Sequence, residues 1–69
     1  MIKLKINGKE EEFPGGLPAT LIDLLKYLNI NEATIVAELD GKIVVREDFA
    51  KTVLTCGQNI ELIRFVGGG

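Results

Sequence analysis

From residue 2 to residue 6 apolar and basic side chains alternate, with Ile2, Leu4 and Ile6 on one face and Lys3 and Lys5 on the other. That is the period of a half-buried strand. Asn7-Gly8 follows, a dipeptide that accepts the positive φ of a two-residue type I′ turn, so residues 9–13 are predicted to return antiparallel to the first strand. Pro14-Gly15-Gly16-Leu17-Pro18 withdraws two backbone donors and adds two flexible positions, which ends the strand and predicts a loop. The period then becomes helical: Leu21, Leu24, Leu25 and Leu28 form one stripe. Thr20 supplies a cap, and Asp23 places a negative charge near the positive end of the helix dipole. Asp23, Lys26 and Tyr27 are expected to face outward.

Residues 35–39 and 42–45 flank Asp40-Gly41, a second hairpin signal of the same kind. Residues 46–55 show no clear period; Phe49, Val53 and Leu54 are expected to anchor them to the core. Cys56-Gly57-Gln58-Asn59 predicts a turn before a last strand over residues 60–66. The order is strand, strand, helix, strand, strand, strand, with one helix available to cover one face of a sheet. The expected fold is therefore α+β, a β-grasp (ubiquitin-like) domain in which a mixed sheet of five strands packs on one helix. The domain is expected over residues 1–66, with a glycine tail at 67–69.

Composition narrows the function. With 69 residues there is room for one core and little to spare for a deep internal site. Acidic and basic residues are interspersed at a net charge of −2, so no basic stripe offers itself to nucleic acid. No apolar run approaches the roughly 20 residues of a membrane span, and the alternating N-terminus does not resemble a signal peptide. One cysteine, Cys56, excludes an intramolecular disulfide and fits a reducing compartment, so a cytoplasmic protein, monomeric when free, is expected.

The chain has no histidine, no phosphate-binding glycine loop with a lysine and no metal-ligand spacing. No metal and no permanently bound cofactor are expected. Cys56 has no histidine to act as its base and reads as a small residue near a turn. Glu10-Glu11-Glu12 reads as a solvated edge that discourages aggregation.

What remains is the tail, Gly67-Gly68-Gly69. Three glycines after a strand contribute nothing to packing and lose much backbone entropy if ordered. A frayed end is one reading. The other is chemical: three extended residues reach about 10 Å, enough to carry a carboxylate into a narrow cleft of another protein, where side chains would block the passage. The Gly69 carboxylate, once it has attacked the α-phosphorus of ATP, becomes an acyl adenylate open to nucleophiles from either side. Since the chain has no means of binding ATP, a separate enzyme must catalyse that step.

The closing run Ile60-Glu61-Leu62-Ile63-Arg64-Phe65-Val66-Gly67-Gly68-Gly69, on a chain with β-grasp patterning throughout, resembles the ThiS family. Its members end in Gly-Gly, matched by Gly68 and Gly69, often after Val-Gly, matched by Val66 and Gly67. The resemblance implies a sulfur carrier of thiamine biosynthesis, a protein co-substrate and not an enzyme. A ThiF-like enzyme uses ATP to adenylate Gly69, a cysteine desulfurase or another donor supplies sulfur, and the Gly69 thiocarboxylate delivers it to a ThiG-like thiazole synthase. Arg64, Phe65, Val66, Gly67 and Gly68 are then the partner-binding segment. Separately, docking is expected on the sheet face away from the helix near the last strand, where Arg64 and Ile63 or Phe65 would lie beside the tail. A MoaD-like carrier for molybdopterin synthesis would use the same terminus, although those chains tend to be longer and to carry a proline before the tail. A Urm-type carrier, or an interaction module with passive glycines, stays open beside it.

Overall fold

The computed structural model describes residues 2–65. Strand β1 (Lys3–Ile6) and strand β2 (Lys9–Glu12) form the first hairpin, antiparallel from Lys3 opposite Glu12 to Ile6 opposite Lys9. Between them Asn7 and Gly8 take φ of 51° and 83°, the left-handed pair that a type I′ turn needs. Helix α1 (Leu21–Tyr27) follows the Pro14 to Pro18 loop. Thr20 caps it, its Oγ1 accepting the Asp23 N–H at 3.4 Å and donating to Asp23 Oδ2 at 3.0 Å.

The helix ends on a feature that its leucine stripe does not announce. Asn29 adopts φ 59°, its N–H donates to the Lys26 carbonyl, and the N–H of Ile30 reaches back to the Leu25 carbonyl at 2.9 Å. This paired closure is a Schellman motif with asparagine in the left-handed position, and Ile30 packs against the core beyond it. A short 3-10 helix (Glu32–Thr34), capped by the Asn31 side chain on the Ala33 N–H, leads into strand β3 (Ile35–Leu39). Asp40 and Gly41, at φ 50° and 85°, turn the chain into strand β4 (Lys42–Val44). A second 3-10 helix (Arg46–Lys51) occupies the stretch that lacked a period, and strand β5 (Asn59–Arg64) closes the fold.

The sheet order is β2-β1-β5-β3-β4; β1 and β5 run parallel and all other neighbours antiparallel. A five-stranded mixed sheet over one helix is the expected β-grasp arrangement. Leu21, Leu24 and Leu25 from α1 meet Leu4 and Ile6 of β1, Ile35 and Ala37 of β3, and Ile60 and Leu62 of β5 in one core. Leu28 lies at its margin. Burying each large aliphatic side chain contributes roughly 1.5–3 kcal/mol, so this layer is the main source of stability.

One sequence expectation is corrected. Phe49 and Leu54 are buried, but Val53 is 67% exposed and does not anchor the segment through its side chain. The backbone on either side anchors it instead: Val53 lies opposite Thr20, with the Leu21 N–H donating to the Thr52 carbonyl at 2.9 Å and the Leu54 N–H to the Ala19 carbonyl at 3.3 Å. The last strand also starts one residue earlier than expected and is assigned as far as Arg64. Tyr27 faces outward as expected, its ring lying 5.3 Å from that of Phe13.

Candidate functional site

Val66, Gly67, Gly68 and Gly69 lie outside the described residues, so the site is approached through the strand that leads to them. β5 occupies the middle of the sheet, between β1 and β3. Its odd residues bond to one neighbour and its even residues to the other, as the geometry of a central strand requires. On the β3 side the ladder runs from Leu39 opposite Ile60 to Ile35 opposite Arg64, and the Phe65 N–H still donates to the Thr34 carbonyl at 3.3 Å. On the β1 side, backbone pairing ends at Ile6 opposite Ile60.

Side chains on β5 alternate between two environments. Ile60 and Leu62 enter the core, and Arg64, opposite buried Ile35, shares their side although it is itself exposed. Glu61 and Ile63 point to the open face. Arg64 and Ile63 therefore do not share one docking face, as the sequence reading had them; the two-residue period of the strand separates them. Phe65 is 48% exposed and Ile63 46%.

Register extends that open face. Val36 lies opposite Ile63, and Ile43 on β4 lies opposite Glu38. Val36 and Ile63 thus form a cross-strand apolar pair beside the end of β5, and Ile43, on the same face, lies one step further back in the row of Glu38 and Glu61. Glu38 and Glu61, directly opposite each other, border that pair. Like charges placed so oppose each other, a cost that packing elsewhere must offset. Val36 and Ile43 were not singled out from sequence; the run Ile43-Val44-Val45 is too uniformly apolar to show which member faces out.

Among the described residues no group of three or more His, Cys, Asp or Glu side chains could hold a metal ion. No helix among them is long and apolar enough to cross a membrane. Cys56 is exposed in the turn before β5, distant along the chain from the tail.

Comparison with known proteins agrees with this geometry. The family model for the ThiS family matches residues 4–69. A crystal structure of the thiamine biosynthesis protein ThiS from Geobacter metallireducens superposes with a TM-score of 0.84 at 32% identity, covering 99% of this chain and 100% of that one. A solution structure of a thiamine biosynthesis protein from the same organism gives 0.79 at 32% identity, covering 99% and 88%. Among curated sequences, a thiazole synthase of Paramagnetospirillum magneticum is 31% identical over 68 residues, which are 99% of this chain but only 20% of that protein. The uncharacterized protein ycf40 of Porphyra purpurea is 34% identical over 99% of this chain and 93% of its own length. With a family model matched from residue 4 to residue 69 and the same fold in a solved relative, the chain belongs to the ThiS family.

Proposed function

We propose that the protein is a sulfur carrier for thiazole formation in thiamine biosynthesis, working through the Gly69 carboxylate. A ThiF-like enzyme binds the body and the segment Arg64, Phe65, Val66, Gly67 and Gly68. The carboxylate oxygen of Gly69 attacks the α-phosphorus of ATP and pyrophosphate leaves. A persulfide sulfur from a cysteine desulfurase then displaces AMP, and a thiol reduces the resulting acyl disulfide to the thiocarboxylate. A thiazole synthase takes the sulfur from that group, and the carrier returns as a carboxylate.

The observation that carries this reading is the position of β5. The strand that runs on into the glycines is held between two neighbours in the centre of the sheet, so the tail has a fixed base beside the open face of the sheet. A tethered nucleophile delivered from a docked body acts at high effective concentration and never requires free sulfide. The thiazole branch is favoured over molybdopterin synthesis by two similarities: the Geobacter ThiS structures, and a thiazole synthase in which a segment like this chain makes up a fifth of the length.

The test is intact mass spectrometry after incubation with ATP, the adenylating enzyme, cysteine desulfurase and cysteine. The expected product gains the mass difference between sulfur and oxygen at its terminus and then supplies sulfur to thiazole synthase but not to molybdopterin synthase. The same mass gain in a chain lacking Gly68 and Gly69 would sink the proposal. Delivery to molybdopterin synthase alone would transfer the assignment to the MoaD-like alternative.

A further inference from the structure

β1 stops at Ile6, and the chain turns away through Asn7 and Gly8. The type I′ turn needs a residue that tolerates positive φ at position 7, and glycine would serve as well as asparagine. What asparagine adds lies 55 residues further along the chain: its Oδ1 accepts the Leu62 N–H at 2.7 Å, and its Nδ2 donates to the Leu62 carbonyl at 3.3 Å. Its own backbone N–H donates to the Ile60 carbonyl at 2.8 Å. A carboxamide has the donor and acceptor of a peptide group. Here it stands where the next peptide of β1 would stand had that strand continued along β5.

The other hairpin does the same at the opposite end of β5. Asp40, in the corresponding turn position, accepts the Asn59 N–H on Oδ1 at 2.9 Å and donates its own N–H to the Asn59 carbonyl at 2.8 Å. β5 is therefore gripped at its first residue by one turn and at Leu62 by the other. Only Ile63, Arg64 and Phe65 separate Leu62 from Val66.

We propose that Asn7 is a positioning residue: its side chain splices β1 to β5 at Leu62 and so holds, from the β1 side, the strand that precedes the glycines. This rests on the carrier reading above. The placement of that strand matters because the reacting carboxylate of Gly69 lies only seven residues beyond Leu62 in the chain. Misplacing a reacting group by about 1 Å can cost on the order of a hundredfold in rate.

Asn7→Gly keeps the turn and removes the splice, while Asn7→Asp keeps the acceptor for the Leu62 N–H and loses the donor. In Asn7→Gly the Leu62 amide is expected to exchange about tenfold faster relative to the amides of β3, the loss expected for one hydrogen bond. Turnover in adenylation at saturating carrier is expected to fall about tenfold while the carrier KM changes less than twofold, since docking contacts are untouched. In Asn7→Asp, Leu62 protection is expected to rise towards the unaltered protein as pH is lowered and the carboxyl becomes a donor. Unaltered Leu62 exchange and turnover in both variants, or a loss confined to KM, would overturn the proposal. If the unaltered protein is not adenylated at all, the carrier reading fails, and Leu62 exchange still judges the splice. Should Asn7→Gly melt below the assay temperature, Asn7→Asp decides by the same readouts.

Discussion

Phe49 and Val53 sit four residues apart in a stretch without periodicity, and as letters they are equally good candidates for the core. The structure buries Phe49 to 1% exposure and leaves Val53 at 67%. The cause is the 3-10 helix Arg46–Lys51, whose three-residue turn brings Phe49 inward against α1, whereas Val53 lies past its end, opposite Thr20 in a bridge whose bonds its neighbours make, Leu21 N–H to the Thr52 carbonyl and Leu54 N–H to the Ala19 carbonyl. Phe49→Ala is expected to cost about 3–5 kcal/mol by removing buried volume. Against a total stability on the order of 5 kcal/mol for a small domain, that is enough to unfold much of the population. Val53→Ala is expected to stay within about 0.5 kcal/mol. Urea titration of both variants checks the pair; equal losses would show that Val53 is packed after all.

Strand β2 shows how an element can belong to the sheet without a buried face. All four residues, Lys9, Glu10, Glu11 and Glu12, are exposed, and they form one outer edge of the sheet. Lys3 Nζ lies 3.1 Å from Glu10 Oε2, but with both side chains largely in water such a pair contributes under about 1 kcal/mol. What holds β2 is the hairpin turn before it and Phe13, buried immediately after it. The carboxylates keep the unpaired edge from accepting a further strand. Replacing Glu10 and Glu12 by valine is expected to leave the fold intact and to shift the protein towards larger species in size-exclusion chromatography. An unchanged elution profile would remove that role from the acidic run.

In the whole molecule the two faces of the sheet divide the labour. One is covered by α1 and provides the stability; the other is open, with Val36 and Ile63 near the end of β5 and Ile43 one step further back on the same face. Exposed apolar side chains gathered at one place mark a surface that a partner covers. The proposed adenylating enzyme must hold the body while it acts on Gly69, and this open face is the surface proposed for that hold. Serine at both Ile43 and Ile63 is expected to raise the carrier KM for adenylation at least tenfold, the scale of losing one buried aliphatic contact. Melting temperature should change little, because both side chains already face water. Pyrophosphate release measured against carrier concentration tests this, and an unchanged KM would move the docking surface elsewhere.

Local chemistry made much of this protein legible before any tertiary contact was known. Asn7-Gly8 and Asp40-Gly41 require positive φ, the alternation around Leu4 requires a half-buried strand, and the leucine stripe after Thr20 requires a helix with one apolar face. Each of these signals acts within a few residues, so the chain alone determined both hairpins, the helix and their order. Pairing across the chain was decided elsewhere. That β5 lies between β1 and β3, that Arg64 and not Ile63 falls on the helix side, and that Asn7 grips Leu62 all depend on strand pairing and register. Register is set when the core closes around Ile60 and Leu62, since shifting β5 by one residue would turn both of them out to solvent.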